Sequence, residues 1–591
     1  MRTYRWKYRR KRYIKRPEQP GKTVGLLSRR SRTMSSTKEP VTPPLAEKQE
    51  AISDHHVIPT VVAEREGAKV MEVQNADFAV ALTSGPQLNP YSAASIQLYF
   101  ILLVAFMGSM SNGFDGQVMG AVNGMNQYLD YFNISGTDSG GGVGTATAII
   151  FGIYQIGSIV GVVLAGPLTD GRFGRRGGMF TGAFIILIGA VVITTALHKS
   201  SLLAGRFVLG LGVSITATAC PSYVVEMAPP QWRGRLTGLF NTFYYAGSML
   251  CTGISIATAR LSTTTSWRAP LAIQIVPAGI LCLFVWLLPE SPRWYVSAGR
   301  TEDAAKVLAK YHGNGDVNAP LVQLELREFE ESIKLDASDK RWWDYSELVN
   351  TRNARYRTLM MIMMGFFGQW SGNGLGYFLT ILFKNAGVES QERRLVLNFV
   401  NTIVSAIGAS IGTSLCDTIG RRTMWFWGTF ASALTLIIVT VCTALFGENG
   451  ANPAGANSAI AFIFLFGFVF SFAYTPLQAL VPTECLANNT RAKGMAMYSF
   501  AVSCAGLVGN YAGPIALQRI QWKYYIVYVC WDIFECAMIW LFAVETRGRT
   551  LEELNDIFES PNPVRASLKK KKIAVLEKGG QLEVLDVEDT A

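Results

Sequence analysis

Residues 98–116 read LYFILLVAFMGSMSNGFDG. No charge occurs from Leu98 to Met110, and then Asp115 stands in Ser111-Asn112-Gly113-Phe114-Asp115-Gly116. An apolar stretch of this length can cross a bilayer. An acid inside one costs about 2.5–3.5 kcal/mol on insertion scales, so it marks a functional position. A second such charge, Arg206, sits in Ala204-Gly205-Arg206-Phe207-Val208-Leu209-Gly210. Opposite charges in two apolar segments neutralise each other inside a helix bundle. The pairing is what proton-coupled transport requires.

The apolar pattern recurs along the chain. It has 591 residues, 16% of them charged, against about 25% in soluble proteins. Apolar runs predict twelve spans, at 98–121, 143–168, 179–197, 201–221, 236–258, 268–288, 357–383, 395–415, 424–446, 459–481, 494–517 and 522–544. A soluble helical protein would need polar helix faces that most of these runs lack. The nine cysteines, among them Cys220, Cys251, Cys282, Cys504 and Cys530, form no CxxC. They read as buried packing residues, with no disulfide framework, metal site or cofactor. No nucleophile–base pair points to an enzyme.

Residues 1–16 hold nine Lys or Arg and no acid. They read as a segment touching anionic lipid, not nucleic acid, and they lack a signal-peptide apolar core. The rest of 1–95 reads as a disordered tail. Between the sixth and seventh spans, 289–355 is a polar insert with amphipathic patterns at Arg300–His312 and Leu321–Lys334. Basic loops after spans two, four and eight carry Arg172, Arg175, Arg176, Arg233, Arg235, Arg421 and Arg422. They fall on one side with both termini, and the positive-inside rule makes that side cytoplasmic.

The halves echo each other, as in many transporters. Asp170…Gly174-Arg175-Arg176 is matched by Asp417…Gly420-Arg421-Arg422. Glu226 precedes Arg233 by seven residues, and Glu484 precedes Arg491 by seven. Pro289-Glu290-Ser291-Pro292-Arg293 closes one half, and Glu545-Thr546-Arg547-Gly548-Arg549 the other. Ion pairs among these residues are expected to lock one face shut.

These motifs resemble the sugar porters of the major facilitator superfamily. The matches are G-x-x-x-D…G-R-R (Gly166–Arg176), G-R-F-x-x-G-x-G (Gly205–Gly212), E-x-A-P-x-x-x-R-G (Glu226–Gly234), P-E-S-P-R (Pro289–Arg293) and E-T-x-G-R-T (Glu545–Thr550). Within the family, Phe367–Gly374, Tyr311–Asp316, Trp342–Tyr345 and Tyr474–Gln478 resemble the fungal lactose and cellodextrin permeases. The resemblance implies an all-α membrane fold, with six-helix bundles at 96–288 and 356–545, a cytoplasmic helical linker at 289–355 and a cytoplasmic tail at 546–591. It implies alternating access, with Asp115 as the proton-linked acid and Arg206 as its partner. Four positions depart from the pattern. Gly171 intervenes in the first basic motif, Gly368 precedes a single Gln369, Ala479 stands where tryptophan is usual, and Asn241 where glutamine is usual. Lost bulk at the last two suggests a substrate larger than a hexose.

Sugars donate and accept hydrogen bonds, so uncharged amides and hydroxyls suit them. Gln369, Asn373 and Tyr377 recur at i, i+4 and i+8 on span seven, whose glycines invite a break. Asn241, Asn401, Ser405, Gln478 and Asn510 complete the candidate sugar site. Gly372-x-Gly374-x-Gly376 lacks the strand and the Lys-Ser/Thr ending of a phosphate loop. Asp532 and Glu535 in span twelve read as a buried polar network, with a second proton site as the alternative. Asn133-Ile134-Ser135 is a glycosylation sequon on the expected outer side; Asn488-Asn489-Thr490 lies on the inner side. The expectation is a monomeric plasma-membrane symporter of sugar and proton, selecting lactose, cellobiose or cellodextrin. The alternatives are a sugar sensor, a monosaccharide carrier, an uncoupled facilitator and an exporter of secondary metabolites.

Overall fold

The computed structural model describes residues 57–59, 69–70 and 88–588, without 135–142, 172, 337–344, 447–452, 487–489, 548, 550, 569–571 and 579–580. Twelve spans are present. In the first half they are Ala93–Val122, Thr145–Asp170, Gly174–Thr194, Lys199–Met227, Pro230–Ala259, and a sixth made of Thr265–Ile273 and Ile275–Phe284. The seventh is broken into Arg352–Trp370, Asn373–Gly376 and Leu379–Asn385. The rest are Gln391–Ile419, Arg421–Phe446, Pro453–Cys485, Arg491–Ile520 and Tyr524–Phe542. Among the described residues, nine stretches are apolar and long enough to cross a membrane; one of them, Lys493–Phe542, contains both spans eleven and twelve. The fifth and seventh spans are the more polar pair, which suits helices facing a wet interior.

Local chemistry starts several of these helices. Ser92 Oγ accepts from the Ser95 N–H at 3.1 Å, opening span one. Thr351 Oγ1 does the same for Ala354 at 3.0 Å, opening span seven, the equivalent helix of the second half. Each cap satisfies a backbone donor that the first turn leaves without a partner.

The duplication in sequence becomes duplication in packing. Spans three and four pack together, as do nine and ten; two on four matches eight on ten; one on five matches seven on eleven. The halves meet where span two packs on eleven and span five on eight, again an equivalent pair. Spans one and five approach so closely that a Cβ on Gly113 would overlap the Tyr244 carbonyl, and one on Gly247 the Met110 carbonyl. Small residues at such crossings let backbones touch, which substitutes for the hydrophobic drive that lipid cannot supply.

At the end opposite the basic loops, polar groups clasp the halves. Gln391 at the start of span eight accepts from the Asn126 N–H at 3.1 Å and donates to Gln127 Oε1 at 3.2 Å. Arg260 sets two nitrogens on Glu392 Oε1, at 2.6 and 3.1 Å.

The insert folds as Pro292–Ser297, Thr301–His312 and Pro320–Asp336, joined by a small core of Val296, Ala304, Leu308, Ala319, Val322 and Leu326. Outside the bundle, Val57–Pro59, Lys69–Val70, Lys572–Lys578 and Gln581–Glu588 form a four-stranded sheet. Its last two strands are antiparallel, and Val57 pairs in parallel with Asp586. Composition suggests a disordered tail for residues 1–95, which hold two of these strands; the other two lie in the 546–591 tail. The alternation in Gln581-Leu582-Glu583-Val584, with its period of two, is the strand signal.

Gly113→Ala should force spans one and five apart and cost about 1–3 kcal/mol, as overpacking does. Gly116→Ala should be milder, because its Cβ would meet the movable Tyr244 hydroxyl. Thermal unfolding midpoints of the two purified variants test this; equal midpoints would refute the close crossing.

Candidate functional site

Span one carries Asp115 into the interior of the first half and span four brings Arg206 to it. Arg206 Nη1 lies 3.2 Å from Asp115 Oδ1, and both side chains are almost fully buried. The Tyr154 ring covers the guanidinium at 4.4 Å, a contact that stabilises a desolvated cation. Asp115 Oδ2 has no hydrogen-bond partner among the described residues. The Tyr154 hydroxyl is the other polar group beside the carboxyl, so the acid is held between one cation and one phenol.

Two residues along the same helix, Gln117 faces a cavity of about 100 Å³. The cavity lies between the halves. Span five lends it Tyr244 and Tyr245, the broken seventh span Asn373, span eight Asn401, Thr402 and Ser405, span ten Phe466, Phe470 and Ser471, and span twelve Tyr525. Asn401 Oδ1 is buried without a hydrogen-bond partner. Tyr245 and Thr475 hydroxyls, 2.9 Å apart, join spans five and ten across the halves. Amides, hydroxyls and rings in a cleft of this kind match a neutral polyol with apolar faces.

The break in span seven places Asn373. Gly372 has φ +104°, which only glycine adopts readily. Asn373 Nδ2 still reaches Gln369 Oε1 at 3.1 Å, so the two amides act as one unit, with Asn373 lining the cavity. Tyr377 does not continue a single regular face. It lies beyond the break, its ring 6.5 Å from Phe151 of span two. Gln478 donates to the Gly368 carbonyl at 3.2 Å, tying span ten to span seven. Gln369, Tyr377, Asn241, Gln478, Ala479 and Asn510 are not among the cavity-lining residues. The expected face of Asn401 and Ser405 does line it. Sequence reading missed Gln117, Tyr244, Tyr245, Thr402, Ser471 and Tyr525. In apolar spans such residues look like ordinary packing; only their shared level in the membrane could have signalled them.

At the basic end the motif charges pair between helices. Arg175 is bidentate to Glu226, at 3.0 and 2.8 Å, and Arg421 to Glu484, at 3.2 and 2.8 Å. Each pair lies inside one half. Glu290 accepts the N–H groups of Arg175 and Arg176 at 3.1 and 3.3 Å; Glu545 accepts those of Arg421 and Arg422 at 2.9 and 3.0 Å. Each glutamate thus caps a helix N-terminus, where an anion is favoured. Gly174 and Gly420, at φ +66° and +96°, make the turn that brings the helix start to the carboxylate. Ser291 donates to Glu226 and Thr546 to Glu484, both at 2.5 Å. Burial pushes the Glu290 carboxyl above the ordinary carboxylate range, against the pull of the surrounding N–H groups and Arg176.

Asp417 meets Arg421 at 2.8 Å from an exposed position. Arg233 bonds Glu325 of the insert at 3.2 Å, and not Glu226. Glu325 also meets His312 Nδ1 at 2.5 Å, and His312 Nε2 lies 3.3 Å from the Met227 carbonyl at the end of span four. The insert is thereby fastened to the first half. Arg293 adds its charge beside Glu226. Arg172 and the side chains of Asp170 and Arg491 lie outside the described residues, as do Asn488, Asn489 and Ser135 of the two sequons. Asn133 is exposed at the end of the first loop, with φ +50°. Among the described residues no cluster fit for a metal ion occurs.

A family described as sugar (and other) transporter matches residues 101–558. The chain is 28% identical over 503 residues to the high-affinity glucose transporter 1 of Candida albicans, covering 81% of this chain and 90% of that one. It is 28% identical over 468 residues to the low-affinity glucose transporter HXT1 of Saccharomyces cerevisiae, covering 77% and 80%. Among solved structures, the inward-open xylose transporter XylE from E. coli superposes with a TM-score of 0.62 at 21% identity, over 78% of this chain and all of that one. The proton:xylose symporter XylE bound to 6-bromo-6-deoxy-D-glucose gives 0.64 at 21%, over 78% and 99%. At that identity the superposition speaks for the fold. The named fungal relatives are glucose carriers, not lactose or cellodextrin permeases.

Glu226→Gln and Glu484→Gln should each remove the carboxylate that a largely buried arginine pairs with inside its half, at up to about 3–5 kcal/mol, with the Glu484 variant milder because Arg421 keeps Asp417. Both should lower the unfolding midpoint and slow any conformational cycle while leaving ligand affinity within about threefold. A variant with normal stability, or one whose main defect is affinity, would contradict a bracing role.

Proposed function

We propose a transport cycle for this chain, which belongs to the sugar transporter family and is a multi-pass membrane transporter, not an enzyme. In this reading it takes up a sugar together with a proton across the plasma membrane, by alternating access, with the basic end and both termini cytoplasmic. The carrying observation is that Asp115 and the cavity-facing Gln117 ride on one helix. Protonation of Asp115 loosens Arg206, and the first span can then shift at the sugar cavity. Asn401, Asn373 with Gln369, Ser405 and the tyrosines of span five hold the sugar. The pairs Arg175–Glu226 and Arg421–Glu484 keep each half rigid while the halves rock. One charge crossing 100 mV supplies about 2.3 kcal/mol, enough for roughly 50-fold accumulation.

For the substrate we keep a disaccharide of the lactose or cellobiose type, on the motif resemblance. A hexose is the second reading. It is favoured because Ala479 and Asn241, the positions that suggested extra room, do not line the cavity, and because the relatives are named for glucose. Uptake by purified protein in liposomes, with glucose, xylose, lactose and cellobiose in competition, decides between them. It also separates a carrier from a sensor, which would bind without flux. The same liposomes give the size test. Ala479→Trp should leave the ratio of disaccharide to monosaccharide uptake unchanged if that side chain is remote from the sugar.

Asp115→Asn should abolish uphill accumulation and leave downhill exchange, because an amide keeps the shape but cannot cycle a proton. Persisting pH-driven accumulation would remove Asp115 from coupling. Asn401→Ala should weaken sugar binding by about 1–3 kcal/mol, roughly 5–150-fold, as loss of a buried amide does. Equilibrium binding at fixed pH is the measurement; unchanged affinity would move the sugar elsewhere.

A further inference from the structure

Asp532 and Glu535 stand one turn apart on span twelve, and neither is exposed at all. Ser371 Oγ donates to Asp532 Oδ1 at 2.9 Å. The Tyr474 hydroxyl of span ten donates to Glu535 Oε2 at 3.0 Å and lies 2.7 Å from Thr429 Oγ1 of span nine. Each carboxyl is left with one buried oxygen, Asp532 Oδ2 and Glu535 Oε1, that has no hydrogen-bond partner among the described residues. Among the described residues neither forms an ion pair with Lys, Arg or His. The other titratable groups facing them are Tyr474, and Tyr528 and Cys536 on their own helix. Spans seven and nine contribute only the hydroxyls of Ser371 and Thr429.

Two ionised carboxylates in such a place would each carry a desolvation penalty of several kcal/mol with no cation to offset it. Residues three apart on a helix share a face. A proton on one of the two vacant oxygens becomes a donor, and the vacant oxygen of the neighbour becomes its acceptor. One proton thus satisfies both. A metal ion is the poorer occupant, because the pair leaves only two oxygens vacant and the Ser371 and Tyr474 hydroxyls already donate to the acids. Ser371 matters for a second reason: it ends the helix Arg352–Trp370, next to Gly372 and the cavity-lining Asn373.

We propose that Asp532 and Glu535 form a second proton-binding site, in the C-terminal half, whose occupancy is tied through Ser371 to the break in span seven. The site is separate from the Asp115–Arg206 pair. Losing its proton leaves two facing carboxylates, and their repulsion shifts the Ser371 hydroxyl and with it the break that carries Asn373. The link to sugar rests on the transport reading; the proton site does not.

The test uses full-length protein in lipid nanodiscs and the carbonyl stretch of protonated carboxyl groups in the infrared. Asp115→Asn removes the first acid from the spectrum. In that background a buried carboxylic band should remain, and D532N/E535Q should remove it. The single variants D532N and E535Q should each shift its frequency, which decides the matter should the double variant not fold. Identical spectra with and without these substitutions across the pH titration would overturn the site. A band that vanishes when sodium replaces potassium would assign the site to a metal ion and overturn the proton reading. Ser371→Ala should keep the band but abolish its change on adding glucose or lactose. A sugar-induced change that survives in Ser371→Ala would overturn the tie to span seven. If the wild type binds sugar yet the band does not change, the tie to span seven is overturned while the proton site stands; if no sugar binds at all, the transport reading fails.

Discussion

Hydrocarbon offers no hydrogen bond and no counter-charge, and every polar feature of this chain is arranged around that lack. Asp115 is tolerated because Arg206 is beside it, and Arg206 because Tyr154 covers it. Span seven breaks only where it borders a cavity, so that its freed backbone groups can face other polar groups. Asp532 and Glu535 are the exception with no paired cation among the described residues, and the hydroxyls of Ser371 and Tyr474 bond them instead. Charges elsewhere are confined to the two ends of the bundle.

The two halves solve one problem twice with different words. Glu290-Ser291 and Glu545-Thr546 place a carboxylate on a helix N-terminus and a hydroxyl on a neighbouring glutamate, with the same geometry. The motifs conserve a mechanical unit: a glycine turn, a capped helix, and an arginine folded back onto span four or ten. That unit braces a half. It does not bridge the halves: the motif charges pair between helices of the same half.

Much of this was legible beforehand, for physical reasons. Twelve apolar runs announce twelve helices because the bilayer fixes their length. Asp115 and Arg206 announce each other because each is too costly alone. The amphipathic insert helices follow from their period. What stayed hidden was which face of each helix looks inward. Gln478 and Asn510 carry sugar-like chemistry, yet one ties two helices together and the other is buried away from the cavity lining. Tyr244, Tyr245 and Tyr525 line the cavity, yet on paper they resemble core. Helical period gives the spacing of a face and leaves its direction to packing. The pairing of Arg233 with Glu325, distant in sequence, was likewise beyond any local pattern.

The clasp at the end opposite the basic loops differs in kind from the braces. Arg260 and Glu392 are 67% and 52% exposed, and a pair so wet contributes about 0–1 kcal/mol. The neighbouring Gln127–Gln391 bond is neutral and modest as well. Each half is therefore a stiff block, and at this end only the rim of the contact between them is ionic and screened by dissolved ions; beneath it Thr380 donates to the Gly120 carbonyl at 3.2 Å, and apolar side chains of both halves, among them Val122, Met125, Phe378 and Leu382, form one buried cluster. The ionic strength of the bathing medium therefore reaches the rim of this contact and leaves the apolar seam beneath it untouched.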